Sequence, residues 1–254
     1  MLVKYQIFEQ YLAIIDLALL IFKRIFMKKV LQRTFISASV LLATCSYAFE
    51  SSISIQDLPV LKQEDQHSEA SKRLVNLFTR SHYKANDFDN AFASQVFDRY
   101  LKQLDHYRVI FLQSDIDNFN KYVQTFRKDF TSGRLAPAYD IYTVGLQRRY
   151  ERFAYALTLL DKEITFTGND SYNFDTSESP WAENTEALNE IWRQKVKHEA
   201  LNLKLTGKTW PEIQKLLRKR YEMAIKRLQQ TQSEDVFQTL MNSYARSLEP
   251  HTSY

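Results

Sequence analysis

Lys215, Arg218, Lys219, Lys226 and Arg227 are the residues whose type and spacing come nearest to a functional surface in this chain. With Arg220 they make its densest run of charge. Residues three and four apart are neighbours on a helix, so most of these cations share one side of it. Such a face can dock an acidic protein partner through complementary charge. It also fits a solvated helix face whose bases pair with Glu212 and Glu222.

Other reactive residue types are present but not assembled. The histidines are His67, His82, His106, His198 and His251, and no two stand three or four apart as a helical metal site requires. Each reads more simply as a surface or capping residue. Asp115/Asp117 and Glu234/Asp235 fall at expected helix starts, where carboxylates complement the helix dipole. No Gly-x-Ser-x-Gly turn activates a serine. Gly207-Lys208-Thr209 ends like a phosphate-binding loop, but the glycine needed five residues upstream is Asn202, and a helix stop followed by a helix start explains each residue. Neither a cofactor nor a metal is expected.

The start of the chain accounts for its charge and its thiol. Met27-Lys28-Lys29 and Arg33 precede an apolar stretch from Phe35 to Ala43, and Ser46 and Ala48 supply small residues at the positions read by signal peptidase. Residues 27–48 therefore read as a signal peptide cleaved after Ala48. Residues 1–26 read as an over-extended start. Leu12 to Phe22 is apolar but short for a membrane span and contains Asp16, which disfavours a second anchor. Cys45, the only cysteine, follows Leu42-Ala43-Thr44, a poor lipoprotein box because Thr stands where Gly, Ala or Ser is usual. The net charge of +4 resides in this leader, which holds six bases against two acids; beyond Ala48 there are 28 of each. A balanced mature chain gives no argument for nucleic-acid binding, and without cysteine it forms neither disulfides nor thiolate metal sites.

The mature part reads as all-α. Four glycines and five prolines in 254 residues are too few for a turn-rich β fold. Residues 49–64 read as an extended arm, because Pro59 disfavours helix before it. The helical domain is expected over 65–248. A first helix is expected from about Asp65 to Thr79. Phe88, Phe92, Val96, Tyr100 and Leu104 make a ridge at spacing four, with Asn86 or Asp87 as cap. Ser114 to Asp117 reads as a capping box opening a helix to about Phe130, ended by Ser132-Gly133. A long helix over about Pro137–Lys162 buries one stripe, Tyr139, Tyr142, Leu146, Tyr150, Phe153, Leu157 and Leu160, with Arg148, Arg149 and Arg152 off it. After one long loop, about 163–183, helices are expected over Thr185–Leu205, from Thr209-Trp-Pro-Glu212 onward with Ile213, Leu217, Tyr221, Ala224 and Leu228 inward, and from Ser233 to Leu248. Residues 249–254 are expected to start a strand. The sequence shows no repeat of about 34 residues, which argues against a tetratricopeptide array.

Several long segments, in order and correctly spaced, carry a family likeness: Phe78-Thr-Arg-Ser-His-Tyr83, Phe97-Asp-Arg-Tyr-Leu101, Leu146-Gln-Arg-Arg-Tyr-Glu-Arg-Phe153, Phe166-Thr-Gly-Asn-Asp170, Leu203-Lys-Leu-Thr-Gly-Lys208 and Ser233-Glu-Asp-Val-Phe237. The end, Glu249-Pro-His-Thr-Ser-Tyr254, resembles an Asp-Pro-His-Thr-x-Tyr-Leu junction with Glu in place of Asp. Through essentially the whole mature chain, the sequence resembles the N-terminal region of tail-specific proteases, or C-terminal processing peptidases. The resemblance implies a periplasmic serine endopeptidase with a Ser/Lys dyad and a PDZ domain that recognises apolar substrate C-termini. It implies protein substrates of the envelope, an adaptor lipoprotein as partner, and association with the inner-membrane face. The PDZ domain and protease core of that family lie beyond the position of Tyr254. No catalytic residue carries over, and the chain alone is expected to be inactive. A free-standing periplasmic helical binding protein is the alternative expectation.

Overall fold

The computed structural model describes residues 54–81, 88–249 and 251. The cleavage residues Ser46 and Ala48, the arm before residue 54, and nearly all of the strand expected over 249–254 lie outside the described residues. A 3-10 turn, Ile55–Asp57, precedes seven α-helices: α1 Asp65–Ser81, α2 Asn90–Leu104, α3 Gln113–Thr131, α4 Ala136–Leu159, α5 Thr185–Leu205, α6 Trp210–Gln229 and α7 Ser233–Leu248. Among the described residues the only β-type pairing is a parallel bridge between Leu112 and Ala182. The fold is all-α, as the sequence predicts.

Local chemistry sets the helix boundaries. Asp89 caps α2 by accepting from Phe92 N at 2.8 Å, while Asn86 and Asp87, the expected caps, lie outside the described residues. The capping box of α3 lies two residues upstream of the expected one, at Leu112 to Asp115, because the Asp115 carboxylate reaches back to Leu112 N at 3.0 Å. Gln232, not Ser233, occupies the N-cap position of α7, and Asp235 closes that turn on Gln232 N at 2.7 Å. Ser233 Oγ instead accepts from Lys62 N at 3.1 Å. Thr209 and Glu212 form the expected capping box, with Glu212 Oε2 accepting from Thr209 N at 2.8 Å. Gly133 ends α3 at φ +75°, a left-handed conformation that a side chain would strain.

Two apolar cores form. In the first, α2, α3 and α7 meet the first half of α4: Phe97, Phe119, Phe126, Phe130, Leu146, Leu240 and Tyr244 are buried together. Phe130 stacks on Tyr244 at 5.2 Å between centroids. The second holds Ala156, Leu160, Leu188, Trp192, Val196, Ile213, Leu217 and Tyr221, where α5 and α6 cover the second half of α4. Full burial of each large side chain stabilises by about 1.5–3 kcal/mol.

Because α4 passes through both cores, it is packed on more than one side. It touches α3, α5, α6, α7 and the 3-10 turn. The arginines expected off its buried stripe are therefore drawn inward. Arg148 pairs with Asp115 through two bonds, 2.8 and 2.9 Å. Arg149 Nη2 donates to the Leu104 carbonyl at 2.5 Å. Arg152 is only 4% exposed, donates to Asn189 Oδ1 at 2.7 Å, and leaves Nε without a partner among the described residues. Burial pushes its guanidinium pKa down.

The connection between α2 and α3 is organised by Asp105. Its buried carboxylate accepts from Val109 N at 2.8 Å, Ile110 N at 3.1 Å, Phe111 N at 3.0 Å and Trp181 Nε1 at 3.3 Å. Arg108 sits at φ +53°, its guanidinium 4.4 Å above the Trp181 ring. This knot ties the end of the long loop to the seam between the cores.

Candidate functional site

The expected docking residues all lie on α6. The helix turns Ile213, Leu217, Tyr221, Ile225 and Leu228 into the protein, a stripe at spacings of three and four. Lys215, Lys219 and Lys226 project from the opposite side and are exposed, as is Arg227 nearer the rim. These four make no ion pair among the described residues. Arg218 is half-buried at the margin, where it pairs with Asp161 at 2.9 Å. Arg220 reaches Glu199 on α5 at 3.0 Å. Glu212 is not a partner of the bases: the Thr209 N–H and hydroxyl engage its carboxyl and hold its pKa below the ordinary value. The paired cations thus bond to other elements rather than to their own helix, and Arg218 stands apart from the free group.

Two side chains on this face belong to no motif. Leu216 and Met223, seven residues apart, are 43% and 44% exposed. They sit between Lys215, Lys219 and Lys226 on one side and Arg220 and Arg227 on the other. A helical projection of the sequence, with the buried stripe marked, reveals this pair. The face therefore offers exposed, unpaired cations around a shallow apolar strip, which suits complementary charge better than enclosed chemistry.

A second polar group lies inside. His67 on α1 is 1% exposed, so it is not a surface residue; it caps α1 from inside the protein, its ring reaching back to the N–H of Glu64 just before the helix. Its Nδ1 accepts from Glu64 N at 3.2 Å and lies 2.8 Å from the Tyr139 hydroxyl. Its Nε2 then carries the proton toward Glu234 Oε2, 2.9 Å away. The ring stacks on Phe237 at 4.6 Å. Burial, with Glu234 and Glu64 nearby, pushes the Tyr139 hydroxyl pKa far up, so it remains a donor. Tyr139 Oη also lies 3.0 Å from the Ser233 carbonyl, and its one proton is shared between that oxygen and His67 Nδ1, so the group reads as a clamp joining α1, α4 and α7. An interior histidine with partners 72 and 167 residues away leaves no local sequence signal.

Among the described residues, no group of three or more His, Cys, Asp and Glu side chains could hold a metal ion, and no helix is long and apolar enough to cross a membrane.

Comparison with known proteins accounts for this all-helical architecture. The family described as the tail specific protease N-terminal domain matches residues 74–254. A tail-specific protease of Haemophilus influenzae is 38% identical over 228 residues, covering 89% of this chain but 33% of that protein. The chain thus spans about a third of the length of that curated relative. The segments quoted above as carrying the likeness, from Phe78 to Tyr254, all lie within the matched residues. The chain belongs to the tail-specific protease N-terminal domain family.

Proposed function

We propose that this chain is the non-catalytic helical region of a periplasmic tail-specific serine protease that processes envelope proteins with apolar C-termini. The observation that carries this reading is the alignment: 89% of the chain matches one third of a tail-specific protease at 38% identity. The signal-peptide pattern over 27–48 supports export. In this reading the helices shape the protein around a protease core, and the outer face of α6 docks an acidic partner, such as an adaptor lipoprotein. The unpaired Lys215, Lys219, Lys226 and Arg227 supply the complementary charge, while Leu216 and Met223 supply apolar contact.

Two measurements test the reading. Incubating the chain with a peptide bearing an apolar C-terminus should give no cleavage; cleavage would overturn the non-catalytic assignment. K219E/K226E should lose a salt-sensitive complex that the unaltered chain forms in cell envelopes. Retention of that complex by the charge-reversed chain would remove α6 as its docking face.

A further inference from the structure

The long loop contains a stretch whose burial alternates as in a strand and which has no paired backbone among the described residues. Residues 163–167, Glu-Ile-Thr-Phe-Thr, run without a bend. Their burial alternates: Ile164 and Phe166 are half-buried against the second core, while Glu163, Thr165 and Thr167 are exposed. A period of two is the signature of a strand with one face packed. Isoleucine, threonine and phenylalanine are also strand-favouring types. Yet no N–H or C=O of these residues bonds to other backbone or to a side chain among the described residues. Natural proteins blunt such edges with proline or a covering element. No proline lies within 163–167 and no other backbone pairs with it among the described residues, although Glu163 carries a charge and Lys204 lies 4.7 Å from the Phe166 ring.

Beside this edge is an open cavity of about 310 Å³, lined by Leu159, Ile164, Thr165, Thr167, Val196 and the Asp170 ion-pair group. Asp170 binds Lys197 at 2.7 Å and Arg193 at 3.2 Å, and Arg193 also holds Glu190 at 2.7 Å. Lys197 and then Arg193 keep the Asp170 carboxyl below its ordinary range. Two cations against two carboxylates neutralise one another, so the cavity offers no free charge to an ionic ligand. Its volume suits an uncharged side chain of small to medium size with room for water.

We propose that Glu163–Thr167 is a strand-addition site that takes an extended polypeptide segment, whose main chain pairs with this edge while one uncharged side chain enters the adjoining cavity. Main-chain pairing supplies affinity and the pocket beside alternate residues supplies selectivity, the general logic of strand addition. The bound class is therefore extended polypeptide that places an uncharged side chain beside the cavity. The site goes beyond the proposed function above, and it does not depend on the α6 face or on a protease core.

The test uses the full chain and a labelled, soluble alternating Thr/Val peptide ended by lysines. Saturable binding is expected, with slowed amide exchange concentrated in 163–167. Thr165→Pro tolerates an extended backbone but removes a donor and obstructs the edge, so it should weaken binding at least about tenfold. Thr165→Val should bind at least as well as the unaltered chain. The same peptide N-methylated at alternate residues should bind at least about tenfold more weakly, a control that does not depend on any variant folding. No saturable binding by the unaltered chain, or protection confined to other segments, would overturn the site. So would an N-methylated peptide that binds like the parent. Self-association that Thr165→Pro abolishes would assign the edge to a second copy of the chain and overturn the peptide assignment.

Discussion

Removing the Asp105 carboxylate tests whether one side chain holds the joint between α2, α3 and the long loop. Four donors converge on it: the backbone N–H groups of Val109, Ile110 and Phe111, and the Trp181 indole N–H, at 2.8 to 3.3 Å. In Asp105→Ala the Ile110 and Phe111 donors are left buried and unpaired, at about 1–3 kcal/mol each, while the two nearer the surface turn to water. The expected loss is about 4 kcal/mol. Asp105→Asn discriminates this account from a general intolerance of the position. Ile110 N, Phe111 N and Trp181 Nε1 all use one carboxylate oxygen, Oδ2. An amide oxygen placed there keeps three bonds and sacrifices the one to Val109, so the cost falls to about 1–2 kcal/mol. Urea unfolding followed by circular dichroism reads both. With a slope of roughly 2 kcal/mol per molar urea, the midpoint should drop by about 2 M in the alanine variant and by about 0.5–1 M in the asparagine variant. Equal midpoints for the two variants, or losses below about 0.3 M in both, would refute the argument that convergent main-chain donors make this residue necessary.

Gly133→Ala should destabilise the protein by about 2 kcal/mol or more, because φ +75° is left-handed and the new Cβ would lie 2.8 Å from the Ser68 carbonyl oxygen; thermal unfolding checks it. The Thr209 N–H holds the Glu212 carboxyl below its ordinary value of 4.5, so this cap stabilises above that pH and its contribution is lost as pH falls through the lower, folded value. Glu212→Gln should therefore flatten the acid limb of a stability-against-pH curve, leaving stability at low pH nearly unchanged and lowering it at neutral pH, and an unchanged acid limb would contradict it. K219E/K226E should unfold within about 0.5 kcal/mol of the unaltered chain, since both lysines are exposed and unpaired; a larger loss by urea titration would show that the α6 face has a structural duty.

Much of the helix order was legible because caps and periodicity are local. The Thr185–Leu205 helix matches its expected bounds, and the Thr209–Glu212 box opens α6 where the sequence places it. The misreadings have one physical source: partners distant in sequence. One buried stripe was expected on α4, but a helix shared by two cores has little outward surface, so Arg148, Arg149 and Arg152 are recruited by Asp115, Leu104 and Asn189. Ala224 was expected inside α6, yet Ile225 takes that place while Ala224 is half-buried. Of the docking residues, the cluster was readable as charge, whereas the withdrawal of Arg218 to Asp161 and the exposure of Leu216 and Met223 depend on how α6 is rotated against α4.

The clamp around His67 has a consequence for the order of events during synthesis. Glu234 follows His67 by 167 residues, and the Lys62–Ser233 bond closes across 171. At a translation rate of roughly 5–20 residues per second, Glu234 is made roughly 8–30 s after His67. During the later part of that interval the imidazole has Tyr139 within reach but neither Glu234 nor the Phe237 ring it stacks on. Among the described helices, α1 can dock on α3 once residues 133–135 exist, but its clamp to α7 closes only when the far end of the chain is made. Contacts of such long sequence separation make closure slow compared with the formation of the individual helices.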